Sequence, residues 1–527
     1  MKVTVRGKFD VDLEKNDFVT EGGEGKIYSK NGLIYKIYED PNNMIPDGKI
    51  NELKVLDRDN IIIPLDVVFY KKSIVGFTMK EVKDTSPLCQ FFTTPFRNRN
   101  GITPKHTTDL VENIQKGIEF IHSKDCLIVD VNELNFLVDN KSKVDPWFID
   151  TNSYKTPSFP ATAIMDSIRD WRSQDFSQLT DWFSFSILCF QLFVGLHPYR
   201  GSHPDYGRDS LAIRMRDGIS VFNKKVSVPN ATRDFSCIPS EYMRWFESLY
   251  IDNKRIAPPS AAGVMHVIQV KTHVVTSTAK FKIQMLQEYP DLIIGAKTIF
   301  GRRFVLTKNK LFDGKLSYDI GENPSIILTP KLGKSIAVYL KDEILNLIEA
   351  QSGKEINMPG WSIAADKKFV IDNTLYIKRN DRISEISVFE SGERYLYSPK
   401  NICTVMPKAT KIYGAAIYQN VLGRAHISII NPVGGVNQIF IPELDGVRII
   451  RANYESKMFI AIGIKDSKYH RFIFRFSDCF SKYDMIKFED IPSNESVNFT
   501  VLDNGLSVMI NHDGQVDIMS NVMGDSK

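Results

Sequence analysis

Cysteine is scarce in this chain: six residues in 527, Cys89, Cys126, Cys189, Cys237, Cys403 and Cys479. They lie far apart, with no C-x-x-C pair and no histidine at ligand spacing, which argues against structural zinc and a disulfide framework. Long hydrophobic runs are missing too. The longest, Phe183 to Gly195, is too short to span a bilayer, and the opening MKVTVRGKFD lacks the apolar stretch of a secretory leader. Charge of one sign is not in excess, since 67 Lys and Arg stand against 63 Asp and Glu, and no basic block of the nucleic-acid type occurs. The expectation from these absences is a reduced, cytoplasmic protein with no membrane segment and no nucleic-acid signature.

What is present is enough apolar material, 43% of the chain, to bury two cores of ordinary size. Residues up to about 85 read as short strands with one helical interruption. Within them, KIYS and LIYKIY flank Lys30-Asn31-Gly32, a turn of the kind that joins antiparallel strands. From about 105 to 272 the apolar residues fall at helical spacing, as in Leu110, Ile114, Ile118 and Ile121. A second helix over Asp181 to Val194 is apolar almost all round and should be buried. After about 275 the texture becomes repeated short strands at intervals of roughly 32 to 48 residues, with turn signals such as Asp313-Gly314, Gly434-Gly435 and Asn504-Gly505 between them. That spacing suits five or six four-stranded blades of a β-propeller. No W-D or kelch signature accompanies it, and a pair of β-sandwiches is the rival. A linker near Lys271 to Lys280 should separate the two units, each with its own core.

The chemistry lies in the first half. Gly22, Gly23 and Gly25 precede the hairpin, and a loop without bulky side chains lets backbone N–H groups approach phosphates. Lys36 follows on the next strand, Glu52 on a short helix, Asp130 and Asn135 five residues apart, and Asp150 after another hairpin. This order matches the protein-kinase signature set. Lys36, held by Glu52, would neutralise the α- and β-phosphates. Asp150 and Asn135 would hold metal ions, and Asp130 would take the proton of the attacking hydroxyl.

The segments TEGGEGKIY, IYKIY, INELKVL, IVDVNELNFLV, FIDTN, TDWFSFSILCFQLFVGLHPYRG and NKRIAPPS resemble successive protein-kinase subdomains over about residues 15 to 270. DVNELNFLV, IDTNS and FQLFVGLHPYRG are more similar still to a bacterial and phage kinase-like group, whose members often carry an extra C-terminal module such as a helix-hairpin-helix region. No such module is evident here. The resemblance implies a two-lobed α+β kinase-like domain over 1–272, with an N-lobe to about 84 and a C-lobe from about 85; the strand texture places an all-β domain, the expected propeller, over 281–527. It implies ATP and Mg²⁺ as cofactors, and it places Met79, Lys80 and Val82 with the ATP-binding residues. It also implies structural roles for Asp181, as the buried aspartate tying the catalytic loop, and for Arg255, as the arginine pairing with an acid near the activation segment.

The expected function is a Ser/Thr-type protein kinase whose β domain recruits a protein substrate or docks to a partner assembly. The alternative is a pseudokinase scaffold that binds nucleotide without transfer. Several positions depart from the kinase pattern. Ile128 and Val129 replace the His and Arg before the catalytic aspartate, which removes the reader of a phosphorylated activation segment. Asn132 replaces the lysine that steadies the γ-phosphate. Thr20 stands for the first glycine, and Ile34 for the small residue that makes room for adenine. Asn152 replaces the glycine after the metal aspartate, as a residue tolerant of positive φ. His122 and His197 are expected to pack or turn rather than to act as bases.

Overall fold

The computed structural model describes the chain except residues 23, 163, 208–209, 230, 260–286, 291–292, 294, 300–301, 308–309, 314–315, 320–323, 332, 351, 353, 359–360, 392–393, 432–434, 503–504, 512–515, 521–522 and 524–527. Gly23 and the expected linker at 271–280 therefore lie outside the described residues, as do the glycines at 314 and 434 and the asparagine at 504.

The first 80 residues build a curled seven-stranded antiparallel sheet. Its strands are β1 (Lys2–Val5), β2 (Phe9–Asp12), β3 (Phe18–Gly22), β4 (Gly25–Lys30), β5 (Leu33–Tyr38), β6 (Val67–Tyr70) and β7 (Ser73–Lys80), in the order β2-β1-β6-β7-β5-β4-β3. The β4–β5 hairpin closes on Asn31 and Gly32, both at positive φ, which is the two-residue turn whose twist matches its strands. Gly25 is glycine for a steric reason, because a Cβ there would run into the backbone of Ile37 and Tyr38 on β5. Helix α1 (Asp47–Leu53) interrupts the strands and buries Ile50 and Leu53.

The helical lobe follows, with α2 (Thr94–Asn100), α3 (Pro104–His122), α4 (Gln178–Val194), α5 (Leu211–Asp217) and α6 (Ser240–Tyr250). Helix α3 starts where Pro104 fits the first turn and the Thr103 hydroxyl accepts from the His106 amide at 3.2 Å. Its residues Leu110, Ile114, Ile118 and Ile121 are fully buried. In α4 every residue from Thr180 to Val194 is buried, as its all-round apolar sequence requires, and Gly195 ends it in the left-handed region at φ 81°. Among the described residues no helix is long and apolar enough to cross a membrane.

Residues 295–520 are all-β. Six separate antiparallel sheets follow one another, spanning 295–319, 325–355, 367–404, 410–440, 448–488 and 499–520. The first five have four strands and the last three among the described residues, each sheet using strands consecutive in sequence. Two lysines on first strands reach into the next sheet: Lys367 Nζ donates to Ile412 O at 3.2 Å and Lys411 Nζ to Ile449 O. Arg451 Nη2 donates instead to the connection that leads to the last sheet, at Ser493 O and, at 3.1 Å, Glu495 O.

The expectation that this region keeps a core wholly its own is corrected in one place. Ile450, Ile462, Ile464 and Tyr469 of the fifth sheet belong to the same buried cluster as α3 and α4. Burial of these side chains against the lobes removes from water an apolar patch that the sheet could not cover by itself.

Candidate active-site cleft

Asp181 organises the segment that carries Asp130. It is fully buried, and its carboxylate accepts from the amides of Ile128 and Val129, each at 2.9 Å, while His122 Nε2 lies at 2.9 Å. These bonds hold Val129 at a positive φ of 66°, a costly conformation for a β-branched residue. The strain turns the chain sharply before Asp130. His122 thus serves the hub. His197 donates from Nε2 to Ser167 O at 2.7 Å and accepts at Nδ1 from the Tyr199 amide at 3.2 Å.

Asp130 is held from several sides. Its Oδ1 accepts from the Met165 amide at 2.9 Å, and its Oδ2 from Asn132 Nδ2 at 2.7 Å and Asn135 Nδ2 at 3.3 Å. Asn135 Nδ2 also donates to the Asp130 backbone oxygen at 2.9 Å. Burial raises the Asp130 pKa, opposed by those hydrogen bonds, which makes the carboxylate a better proton acceptor than a free one. The Asn132 amide is therefore spent inside the loop, holding the carboxylate.

Asp150 sits in the left-handed region at φ 59°. Residue 152, expected to use such a conformation, instead lies in a short 3-10 turn from Thr151 to Ser153. The reason is local: Thr151 Oγ1 donates to Ile62 O at 2.7 Å and fixes the turn, so the reversal falls on Asp150 itself. Burial raises the Asp150 pKa, Lys36 opposes that, and Glu24 and Asp130 add to it. Its side chain nonetheless keeps 42% of its exposure, so water reaches it.

Lys36 comes within 3.8 Å of Asp150 Oδ1. Its close partner is Glu24, at 2.5 Å. Burial works against the lysine's charge, but Asp150, Tyr38 and Glu24 outweigh it and the pKa is raised. The expected Lys36–Glu52 pair is absent here. Glu52 Oε2 accepts from the Ser158 amide at 3.2 Å, and the residue that α1 turns inward is Lys49, 1% exposed, donating to Pro160 O at 2.9 Å. Helix α1 has lysine and glutamate three residues apart, and in this rotation the lysine takes the inner face. The glycine-rich turn supplies the missing acid through Glu24, a residue the sequence reading left unassigned.

Of the remaining positions, Gly22 and Gly25 flank Glu24 at the ends of β3 and β4. Met79 pairs with Ile34 across β7 and β5. Lys80 is turned to Asp59 at 3.8 Å and to the Trp147 ring, and Val82 follows in the connection to the helical lobe, half-buried. Arg255 forks onto Asp170 at 2.5 and 2.8 Å. In the segment after Asp150, Thr156 is buried and Ser158 exposed.

A metal ion with nucleotide phosphates fits these residues. Asp150 is open to water, and Asn135 commits its amide nitrogen to Asp130, which leaves its oxygen as a ligand. Among the described residues no group of three or more His, Cys, Asp or Glu forms a ready cation cage. The remaining ligands would come from phosphate oxygens and water.

The β region also contributes side chains to this place. Tyr469 donates its hydroxyl to Glu133 at 2.5 Å, three residues after Asp130, with both groups buried. Gln191 of α4 donates to Ser493 Oγ at 3.0 Å. On the sheet lobe, Lys408 donates to Ser29 O and, at 3.2 Å, to Ser29 Oγ, and the Glu21 carboxylate packs onto Gly423. No local pattern in the sequence signals these contacts, which join residues hundreds of positions apart.

No family model matches the chain, and no curated protein matches it. Among solved structures it is similar to PK-1, the kinase of the Cydia pomonella granulovirus, at 12% sequence identity and a TM-score of 0.34, with 45% of this chain and 86% of that chain covered. A likeness of that size leaves the case to the side chains themselves.

Proposed function

We propose that the kinase-like domain expected over 1–272 is a phosphotransferase that uses ATP and Mg²⁺ to phosphorylate a serine or threonine hydroxyl on a protein. The observation that carries this reading is the convergence of Lys36, Asp130, Asn135 and Asp150 on one cleft between the lobes. The bound metal–nucleotide would supply the phosphoryl group and offset its charge. Lys36 would leave Glu24 for the phosphates, Asp150 and Asn135 would hold the cation, and Asp130 would accept the acceptor's proton. Asn132 and Met165 keep Asp130 aimed, and Asp181 keeps its loop in shape.

The β region would recruit the protein substrate or a partner assembly with the surface it leaves free of the lobes. Its six sheets would be blades of a propeller, a reading supported by the cations that tie the first strand of one sheet to the next.

A second reading has its own support. With Lys36 held by Glu24 and Glu52 held by Ser158, the cleft would suit a pseudokinase scaffold in which nucleotide only stabilises the assembly.

Transfer from radiolabelled ATP by the purified protein, beside a thermal-shift titration, separates the two. For the enzyme, label is incorporated and Asp130→Asn abolishes it while ATP still raises the melting temperature. Asp150→Asn should weaken the metal-dependent shift as well. An ATP shift with no incorporation supports the scaffold, and wild-type rates in Asp130→Asn would remove Asp130 from the mechanism.

A further inference from the structure

The edge of the β region that meets the lobes presents one cation with no use yet assigned. Arg448 opens the strand Arg448–Glu455 of the fifth sheet. It pairs with Ile464 on the next strand, and Ile464 pairs with Tyr469 on the one after, so the three form one row across the sheet. Residues paired in this way point to the same face.

Two members of the row show which face that is. Ile464 is buried in the core shared with α3 and α4, and the Tyr469 hydroxyl lies on Glu133 beside Asp130. Arg448 therefore faces the lobes as well, two strand spacings or about 10 Å from Tyr469. Neighbouring contacts fix its position further. Gly423 lies against Glu21 of β3, beside the glycine-rich turn, Lys408 on Ser29 of β4, and Ile450 in the cluster that contains Leu88 and Cys89. Arg448 is thus placed between the glycine-rich turn and the catalytic loop, across from Asp150, whose ionisation its charge favours.

Its guanidinium is exposed and makes no hydrogen bond or ion pair among the described residues. The neighbouring Lys411, by contrast, is spent on Ile449 O. An unspent planar cation at the rim of a cleft that already holds a lysine and a cation-binding aspartate is matched to phosphate oxygens, which it can grip with two parallel donors.

Resting on the kinase reading above, we propose that Arg448 is a phosphate-binding residue of the cleft, contributed by the β region and directed at the phosphates of the nucleotide. The β region is then part of the active site, and the site is complete only when that region is docked. A ligand with phosphates gains from Arg448, and the bare nucleoside does not.

The test is calorimetric titration of the full chain and its variants with ATP and with adenosine, each with Mg²⁺. Arg448→Ala should weaken ATP about tenfold or more, leave adenosine unchanged and keep the wild-type melting temperature, since the side chain is exposed. Arg448→Lys should recover part of the loss. Equal ATP affinity in wild type and Arg448→Ala overturns the inference while the kinase reading stands. A parallel loss of ATP and adenosine overturns it too, by showing a change in the whole cleft. Unchanged ATP affinity with slowed transfer assigns the arginine to an acceptor's anion and removes it from the nucleotide. If the wild type binds neither ligand, the kinase reading falls first and the inference with it.

Discussion

In the helical lobe one buried carboxylate, Asp181, gathers bonds from His122, Ile128 and Val129, residues 52 to 59 positions away. In the six sheets the polar ties are mostly simpler. Lys367 reaches Ile412 O, and Lys411 reaches Ile449 O, each joining one sheet to the next. The lobes hold an irregular loop in a conformation it would not adopt alone, so their polar groups converge on a hub. The sheets repeat a hairpin that is satisfied by its own ladder, so a lost tie leaves most of the unit intact. The difference teaches where specificity resides: a repeated scaffold can distribute its polar bonds, whereas a site has to concentrate them.

The largest expected effect tests that contrast directly. Asp181→Ala leaves two amides and an imidazole buried without their acceptor, and should cost about 3–5 kcal/mol in urea unfolding monitored on the lobe's tryptophans. Lys411→Met removes one tie from the sheets and should cost about 1 kcal/mol. Equal losses would break the comparison.

Next in size is the tie between the halves. Tyr469→Phe strips the buried Glu133 carboxyl of its donor, and burial already raises the Glu133 pKa. The variant should lose about 1–3 kcal/mol, and hydrogen exchange should show the loss at 128–135 and 462–472 together. Exchange confined to the sheets would show that Tyr469 serves only its own half.

The remaining effect concerns pH. Burial pushes His197 down to about 3, below its ordinary 6.5, so the unfolded chain takes up a proton that the folded one refuses. Its contribution is present above pH 6.5 and is lost progressively as pH falls toward 3, at about 1.4 kcal/mol per unit. Melting temperatures from pH 7 to 5 should fall less steeply in His197→Gln than in wild type. His470 of the sheets is also lowered by burial, to a lesser extent. His470→Gln should flatten the curve less than His197→Gln does.

The sequence made the hairpin at Asn31-Gly32, helices α3 and α4 and the strand texture after 275 legible, because each depends on neighbours within a few residues. The order of Lys36, Asp130, Asn135, Asp150 and Asp181 was legible as single letters at characteristic spacings. Glu24 was not, since the choice between Glu24 and Glu52 as the partner of Lys36 depends on the rotation of α1, which buries Lys49 instead. Asn152 was assigned the backbone reversal that falls on Asp150, because the bond from Thr151 to Ile62 is long-range. Tyr469 could not be placed against the helical lobe at all: it meets Glu133 across 336 positions of chain, and nothing local in YHRFIF distinguishes a residue that docks from one that fills its own sheet.

The β region holds the sheet lobe through Lys408 on Ser29 and the helical lobe through Tyr469 on Glu133 at the same time. A hinge gripped on both leaves cannot swing freely. On the proposed nucleotide-binding reading, ligand exchange in the cleft would be timed by the release of one grip, and the residence time of a bound molecule would be set by a contact it never touches. A partner that pried Lys408 from Ser29 would shorten that residence time without approaching the cleft, whereas one that pressed the sheets down would lengthen it.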